Sequence, residues 1–199
     1  MVHKRNKRGA TSTAVSQLRI IGGKWRGRKL SFTPAEGLRP TADRVRETLF
    51  NWLAPDLRGA RCLDLYCGSG ALGLEALSRG AVHCDFVDTN TANVRQITAH
   101  LNVLQGLDRA NCHAVDADTF LATAQRPWDI VFIDPPFGRG LAGGVCNTLQ
   151  DRGLLRSAAL LYLETGLQEA PPLLPASWVL HRDKTAGGVS YRLYHCPSN

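Results

Sequence analysis

The stretch from residue 63 to residue 77 constrains the fold most, because it joins a strand-like run to a helix-like run through a glycine turn. Gly68, Gly70 and Gly73 satisfy the pattern G-x-G-x-x-G, whose glycines let the backbone turn tightly and approach a ligand closely. Asp88 ends the next strand-like run, where a carboxylate can accept hydrogen bonds from both hydroxyls of a ribose. A nucleoside-containing cofactor is therefore predicted at this turn. Its predicted contacts are Asp64, Gly68, Ser69, Gly70 and Asp88.

Strand-like and helix-like runs alternate along the chain from residue 61. Such alternation predicts an α/β fold with a mostly parallel sheet and helices on both faces. Two final strand-like runs, 177–182 and 189–195, are joined by a short loop and predict an antiparallel C-terminal hairpin. The expected sheet therefore has seven strands. Its other strand-like runs are 61–66, 83–88, 111–115, 128–133 and 158–163, and the helix-like runs are 71–79, 91–104, 118–124 and 141–151.

Acidic residues recur where the predicted strands end, and they help to choose the cofactor. Asp64 lies just before the glycine turn, where a carboxylate would repel the pyrophosphate of NAD. Asp88, Asp116 and Asp134 follow other strands, and the carboxyl ends of parallel strands meet at one edge of the sheet. This acidic rim suits the sulfonium cation of S-adenosylmethionine. An NAD-dependent oxidoreductase is the rival interpretation, which explains the glycines and Asp88 but not Asp64.

The acid that follows the third of these strands has two interpretations. Asp116 stands beside Ala117 at the start of a helix-like run. We expect Asp116 and Ala117 to bind the adenine edge of the cofactor, with a helix N-cap as the alternative for Asp116. For Asp118, a helix N-cap and a ligand contact fit the sequence equally well.

The sequence Asp134-Pro135-Pro136-Phe137 directly follows the apolar strand-like run 128–133. Proline has no backbone N–H group, so two prolines cannot continue a central strand. They leave carbonyl acceptors beside a carboxylate and an aromatic face, which suits an amino group on a flat ring. We expect Asp134 and the Pro135 carbonyl to accept the two amino hydrogens, and Phe137 to stack on an extruded or looped base. All four residues are predicted to be catalytic, but they do not distinguish adenine from guanine or RNA from DNA.

The positive charge of the chain is concentrated near its N-terminus. Nine of the 24 Lys and Arg residues lie in residues 1–33, which contain no Asp or Glu, and the net charge of the chain is +7. Such a local cationic segment predicts a polyanionic partner such as RNA or DNA. Strand-like runs at 18–21 and 28–32 predict a β-hairpin whose tip presents basic residues around Trp25, although Trp25 could equally pack against the body. The predicted RNA contacts are Lys24, Trp25, Arg26, Arg28 and Arg44.

A helix is predicted over residues 41–53, with Thr41 as its N-cap and Pro55 beyond its end. Its apolar face consists of Val45, Leu49, Trp52 and Leu53. Its other face is charged, which usually means that it is solvated, although its N-terminus could reach the rim of the active site. The charged residues are Arg39, Asp43, Arg44 and Arg46.

The remaining composition excludes several classes of protein. The chain has six cysteines but no Cys-x-x-Cys pair, so we expect reduced, mostly buried cysteines and neither a metal site nor a disulfide framework. No apolar run approaches the ~20 residues that span a membrane. The basic N-terminus lacks the apolar segment of a signal peptide. A cytoplasmic protein without a membrane partner is therefore expected.

These motifs together resemble a known family. The glycine turn, the acids at the strand ends and Asp134–Phe137 resemble the ordered motifs of a class I S-adenosylmethionine-dependent methyltransferase. Residues 19–28, residues 39–53 and the ending Tyr191-Arg192-Leu193-Tyr194 narrow this to the bacterial RsmD family, over residues 18 to 195. The resemblance implies a Rossmann-like fold that methylates N2 of one guanine in 16S ribosomal RNA.

The same resemblance implies the domains, further contacts and partners. Residues 1–17 would be a basic disordered tail, 18–37 an RNA-binding β-hairpin and 38–199 the methyltransferase domain. Arg39, Thr41 and Arg44 would close over the methionine end of the cofactor or over the substrate phosphate. The expected state is a monomer that acts on the small ribosomal subunit or its assembly intermediate. An adenine-N6 methyltransferase on DNA or RNA and a non-catalytic RNA-binding protein are the alternatives, and the intact acids and glycines argue against the latter.

Overall fold

The structure is a computed structural model that describes residues 16–32 and 43–197. Its strands are β1 (Ser16–Arg19), β2 (Lys29–Phe32), β3 (Arg61–Asp64), β4 (His83–Val87), β5 (Ala110–His113), β6 (Trp128–Ile133), β7 (Leu155–Gly166), β8 (Val179–Ala186) and β9 (Val189–Cys196). Its α-helices are α1 (Asp43–Trp52), α2 (Ala71–Ser78), α3 (Thr91–Val103), α4 (Ala117–Thr123) and α5 (Leu141–Asp151). Within these described residues, no helix has the length and apolar character that crossing a membrane would require.

A seven-stranded sheet with the order β5-β4-β3-β6-β7-β9-β8 forms the centre of the protein. The first five strands in this order run parallel, and β9 pairs antiparallel with both β7 and β8. The predicted α/β class, the seven strands and the antiparallel C-terminal hairpin are therefore confirmed. The chain reverses its direction of travel across the sheet between β3 and β6, where open α/β sheets bind their ligands.

Two strands are clearly longer than predicted. β7 covers residues 155–166 rather than 158–163, and β8 extends to Ala186 rather than ending at residue 182. β9 explains the C-terminal extension of both strands, because it pairs with β7 as far as Gly166 and with β8 as far as Ala186, whereas Leu155 at the start of β7 pairs with Trp128 of β6. Pairing with a neighbouring strand thus draws polar residues into the sheet that the local pattern assigns to loops.

Apolar side chains pack on both faces of the sheet, in two clusters. The alternating residues of β6 divide between them, since Phe132 belongs to one cluster and Val131 to the other. The first cluster includes residues of α1, α2, α3 and the N-terminal hairpin, and the second includes residues of α4 and α5. The helices therefore cover both faces, which leaves the ends of the strands as the accessible part of the sheet.

The N-terminal hairpin pairs Ser16 with Phe32 and Arg19 with Lys29 in antiparallel register. β1 begins two residues earlier than predicted and stops at Arg19, because the following segment turns towards α2. There the backbone N–H groups of Lys24 and Trp25 donate to the carbonyl and hydroxyl of Ser78, at 2.7 Å and 2.9 Å. The connection of the hairpin is thus docked on the body of the protein.

Glu75 is the centre of this dock. Its carboxylate is fully buried and accepts hydrogen bonds from the N–H groups of Ile21 at 2.9 Å and Gly22 at 2.7 Å. The Nε of Arg79 donates to the same carboxylate at 2.7 Å. A nearly neutral, well-paired set of charges can be buried where an isolated carboxylate could not. α2 therefore holds the N-terminal hairpin through a side chain that never reaches solvent.

Arg46 departs from its predicted place on a charged face of the helix. It is 0% exposed, and its Nη1 lies 3.7 Å from Glu75 Oε2. Its Nη2 donates to the Arg19 carbonyl at 2.9 Å and to Asp43 Oδ1 at 2.6 Å. Its partners on β1, α1 and α2 thus stabilise Arg46 in the interior, although the sequence pattern placed it on a charged helix face. Arg39 and the predicted N-cap Thr41 lie outside the described residues.

Candidate active site

The carboxyl ends of β3 and β6 leave the sheet side by side. Asp64, the last residue of β3, pairs with Phe132, and the N–H of Leu65 donates to the Phe132 carbonyl at 3.1 Å. Asp134 follows Phe132 by two residues, as Tyr66 follows Asp64. The predicted glycine turn and the predicted catalytic tetrapeptide are thus neighbours at the point where the strand order reverses.

The glycine turn is held by a backbone hydrogen bond to β4 and needs each of its glycines. The N–H of Cys67 donates to the Val87 carbonyl at 3.0 Å, and the chain then passes through Gly68 at φ 48° and Gly70 at φ 76°. These left-handed conformations favour glycine. A Cβ on Gly73 would lie 2.3 Å from the ring of Phe86, so only glycine lets α2 pack this closely on β4.

Asp64 ties the turn to the helix that follows it. The side chain is 3% exposed, and its Oδ2 accepts a hydrogen bond from the N–H of Gly73 at 2.9 Å. Burial raises the pKa of Asp64 to about 7, against the lowering effect of the Gly73 N–H. Asp88 nearby raises this pKa further. A positive charge placed beside the turn would therefore favour the ionised form of Asp64.

Asp88 joins the turn to the end of β4. Its Oδ2 accepts from the N–H of Gly68 at 2.8 Å, and its Oδ1 accepts from the N–H of Asn90 at 2.7 Å. A third donor, the side-chain amide of Asn93, lies 3.4 Å from Oδ2. A carboxylate has about four acceptor positions, so Asp88 keeps capacity to accept from a ribose hydroxyl.

The surroundings of the turn fit a cation better than a phosphate. In a dinucleotide site the amides of the glycine turn and of the helix start face the pyrophosphate. Here the N–H of Gly68 is donated to Asp88 and the N–H of Gly73 to Asp64. Two carboxylates thus take up these amide donors, which argues against NAD and agrees with a positively charged cofactor.

In the structure Asp116 is the N-cap of α4, which was the alternative interpretation of the sequence. Its Oδ1 accepts from the N–H of Thr119 and its Oδ2 from the hydroxyl of Thr119, both at 2.8 Å. These hydrogen bonds lower the pKa of Asp116, as expected for an N-cap. α4 begins at Ala117, one residue before the predicted start, which brings the Asp116 carboxylate to the first free amides. A contact with adenine stays a prediction for Asp116 and for the buried Ala117.

The tetrapeptide leaves β6 and becomes progressively more exposed. Asp134 is half-buried and Pro135 buried, whereas Pro136 and Phe137 are exposed. The Phe137 side chain is 39% exposed although it is large and apolar. Since burial would normally stabilise such a ring, its exposure beside a carboxylate and two proline carbonyls favours a stacking role.

Two residues behind Asp134 were not predicted from the sequence. The hydroxyl of Tyr162 donates to Glu164 Oε2 at 2.8 Å, and both side chains are buried in β7. Burial and the nearby charges of Glu164 and Asp134 raise the pKa of Tyr162, and burial also raises the pKa of Glu164. A signal was present, because Glu164 ends the apolar run 158–163 as Asp134 ends 128–133.

A cavity of about 580 Å³ opens beside the tetrapeptide, on the side of α5 and of the loop after β7. Its walls are mostly apolar, with a few polar groups, as is usual for a site that binds a flat organic ring. The residues that line it include Pro135, Pro136, Leu141, Asn147, Thr165 and Glu169. Prediction from sequence did not identify the last three, because they converge only in the folded chain.

The predicted RNA contacts divide into exposed cations and one buried ring. Lys24, Arg26 and Arg28 are exposed on the hairpin, and Arg44 is exposed on α1. Trp25 is 5% exposed, so the alternative interpretation, packing against the body, is the one observed. Its ring lies against Gly106, where a Cβ would come within 2.8 Å, and 5.2 Å from the guanidinium of Arg109.

Comparison with known proteins places the chain in a family. The family described as "Conserved hypothetical protein 95" matches residues 18–195. Ribosomal RNA small subunit methyltransferase D of Escherichia coli is 51% identical over 180 residues, which cover 89% of each chain. The chain belongs to the RsmD family. The resemblance noted in the sequence is thereby confirmed.

Solved structures agree with this placement. The structure of yhhF from Escherichia coli is 48% identical and superposes with a TM-score of 0.86, covering 92% of this chain and 100% of the other. A more distant structure, the 16S rRNA N2 G1207 methyltransferase RsmC of T. thermophilus with AdoMet and guanosine, is 22% identical with a TM-score of 0.64. It covers 92% of this chain and 50% of RsmC and shows that the fold is shared.

Proposed function

We propose that this RsmD-family protein transfers a methyl group from S-adenosylmethionine to the exocyclic N2 amino group of one guanine in 16S ribosomal RNA. Methylation of small-subunit ribosomal RNA with S-adenosylmethionine follows from family membership. The observation that carries the chemistry is the β3–β6 pairing, which sets Asp134–Phe137 beside the glycine turn. The choice of guanine N2 is the part of the proposal that goes beyond family membership.

The residues around the turn would hold the cofactor. When bound, S-adenosylmethionine supplies a methyl group on a positively charged sulfur. The Gly68–Gly70 turn lets the backbone approach the cofactor, Asp88 accepts from its ribose hydroxyls, and Asp64 adds negative charge. Asp116 and Ala117 are proposed at the adenine edge. Arg39 and Thr41, outside the described residues, are proposed at the methionine end.

The tetrapeptide would prepare the acceptor nitrogen. The exocyclic amino group of guanine is a weak nucleophile, because its lone pair is delocalised into the ring. Hydrogen bonds from its two N–H groups to the Asp134 carboxylate and the Pro135 carbonyl favour a pyramidal nitrogen with its lone pair free. Positioning of this kind can contribute up to ~7–11 kcal/mol. The product loses its extra proton after transfer, so a strong base is not needed.

Phe137 and the adjacent cavity would accommodate the base. The exposed ring offers a stacking face, and an RNA base reaches it from a single-stranded loop or after extrusion from a helix. The apolar cavity beside Pro135 and Pro136 provides space on the acceptor side. N2 of guanine is proposed over N6 of adenine because of the resemblance to the RsmD family, and RsmC, a 16S rRNA N2 methyltransferase of guanine, shares the fold.

The exposed cations would hold the RNA on the protein, with those of the hairpin tip at the end of α2 away from the glycine turn. Lys24, Arg26 and Arg28 lie on a hairpin that is fixed to α2, and Arg44 lies on α1. Cationic side chains bind phosphates and orient the RNA without reading its sequence. The proposed substrate is therefore 16S ribosomal RNA within the small subunit or its assembly intermediate, with the protein acting as a monomer.

Radiolabelled methyl transfer followed by nucleoside analysis tests the proposal. Small subunits and naked 16S RNA are taken from cells that lack the activity, and subunits from ordinary cells serve as the already methylated control. The expected product is N2-methylguanosine at one position, with no transfer to the control. N6-methyladenosine would overturn the guanine assignment. Binding of NAD but not S-adenosylmethionine in calorimetry would overturn the reaction class.

A further inference from the structure

A single side chain, Glu169, joins the loop after β6 to the loop after β7. Its Oε1 accepts a hydrogen bond from the backbone N–H of Gly138, and its Oε2 accepts one from the N–H of Gly166 at 3.0 Å. The N–H of Glu169 itself donates to the Gly166 carbonyl at 3.1 Å, which closes the turn that carries the side chain. One carboxylate therefore fixes two loops that are distant in sequence.

The two loops border the acceptor side of the site. Gly138 directly follows Phe137, the residue proposed to stack on the base, and adopts a left-handed φ of 76°. Gly166 is the last residue of β7. Both Gly138 and Glu169 line the cavity of about 580 Å³ beside Pro135 and Pro136. Glu169 thus stands where the stacking residue meets the cavity.

Burial does little to fix the position of this loop. Residues 136–141 are exposed, so burial contributes little to holding the Phe137 ring in one place. Hydrogen bonds from N–H groups to an ionised carboxylate are about twice as strong as those between neutral groups. Since a shift of about 1 Å in a positioned group can cost about a hundredfold in rate, a clamp here would act on catalysis more than on folding.

We propose that Glu169 is a positioning residue for methyl transfer. Its carboxylate holds Gly138, and with it the Phe137 ring and the Pro135 carbonyl, at a fixed place beside the cavity. Glu169 touches neither the cofactor nor the reacting nitrogen and acts through the loop it binds. This inference rests on the proposed function, because it assumes that Phe137 and Pro135 contact the acceptor base.

The test compares two variants with a matched control. Glu169→Gln keeps the size of the side chain but replaces one accepting oxygen with an NH2 group, which cannot accept the second N–H. Glu169→Asp keeps the charge but is one methylene too short to reach both loops. Gln168→Ala changes the exposed neighbour in the same loop. Each full-length protein is assayed for kcat and for KM towards RNA and cofactor, and for hydrogen exchange of its backbone amides.

For both Glu169 variants we expect kcat to fall by about tenfold to a hundredfold. Both KM values should stay within about twofold, and the Gly138 and Gly166 amides should exchange faster while the β6 amides do not. Gln168→Ala should match the wild type. The conservative Asp variant provides the same test if the Gln variant does not fold.

Three results would overturn the role of Glu169. An unchanged kcat despite faster exchange would show that the clamp is irrelevant to catalysis. A raised KM for RNA with unchanged kcat would make Glu169 an RNA contact, and unchanged exchange would show that it does not hold the loop. All rates are taken relative to the wild type on whichever base the wild type methylates. A wrong base would therefore refute the proposed function without deciding the role of Glu169.

Discussion

The hairpin dock and the catalytic edge use polar groups in opposite ways. In the hairpin dock, formed by residues 21–25 against Glu75 and Ser78, a fully buried carboxylate binds two backbone N–H groups and two arginines. In the catalytic edge, formed by residues 64–70, Asp88 and residues 134–138, Asp64 is buried, Asp88 and Asp134 are half-buried, and Phe137 is exposed. Polar groups that bind each other in the interior fix the architecture, whereas polar groups that reach the surface can bind a ligand.

The two regions share one helix. α2 begins at Ala71, directly after the glycine turn, and carries Glu75 and Ser78 further along. Its first turns are bound by Asp64 through the N–H of Gly73. α2 therefore fixes the distance between the basic hairpin and the transfer site, and substitutions in the two regions should have separable effects.

The largest effect on stability is expected from Glu75→Ala. The substitution removes one of the two carboxylates that pair with the buried Arg46, the carboxylate bound by Arg79, and the acceptor of the Ile21 and Gly22 amides. Breaking a buried ion pair of this kind costs about 3–5 kcal/mol in the free energy of unfolding, measured by urea denaturation. Glu47→Ala on the exposed side of α1 is the control and should change the free energy of unfolding by less than about 0.5 kcal/mol. Equal stability of both variants would refute the central role of the dock.

A smaller loss of stability is expected from Gly73→Ala, in the helix α2 that the two regions share. The new Cβ would overlap the Phe86 ring and the Cys84 sulfur, at 2.3 Å and 2.8 Å. Overpacking of this kind costs about 1–3 kcal/mol, and displacement of α2 should also weaken cofactor binding in calorimetry. Gly144→Ala in α5 meets no atom within 4 Å and should raise stability by about 0.5–1 kcal/mol. A neutral Gly73→Ala would contradict the close packing of α2 on β4.

The local sequence pattern predicted the strands, helices and turns of both regions better than it predicted their side-chain contacts. The glycine turn and the strand-end acids were visible because each element follows its own periodicity. Glu75 was not assigned and Arg46 was wrongly placed on a charged helix face, since a buried ion pair depends on elements far apart in sequence. Trp25 illustrates the same limit, because its ring turns inward only where the hairpin meets Gly106. Glu169 gives no local signal at all, since its partners are amides of two separate loops.

The catalytic edge should also respond to pH through Asp64. Its folded-state pKa is about 7 against an ordinary value of 3.8, so the stabilisation by its proton is complete below about pH 4 and disappears as pH rises through 7. The free energy of unfolding should therefore fall with rising pH in this window, by at most about 1.4 kcal/mol per pH unit. Asp64→Asn keeps an oxygen for the Gly73 N–H and should flatten the wild-type slope between pH 5 and 7. An unchanged slope would place the Asp64 pKa outside this window.

The smallest effect on stability is expected where the hairpin faces solvent. Replacing Lys24, Arg26 and Arg28 together by Ala should leave unfolding and cofactor affinity unchanged but weaken RNA binding. The slope of log affinity against log salt concentration should become shallower by about 0.7 for each phosphate that the variant no longer neutralises. Arg126→Ala, which removes an exposed cation outside the hairpin in the loop before β6, is the control. Equal salt slopes for the triple variant and the wild type would remove the hairpin from the RNA surface.

Asp134→Ala tests the assignment of the transfer site, when cofactor affinity and methyl transfer are measured on the same protein preparation. We expect S-adenosylmethionine to bind with an affinity within about twofold of the wild type in calorimetry, a factor that corresponds to about 0.4 kcal/mol. We also expect transfer to 16S ribosomal RNA in small subunits to become undetectable, because the acceptor nitrogen loses the carboxylate that orients it. Transfer at the wild-type rate would contradict the assignment of Asp134–Phe137 as the transfer site.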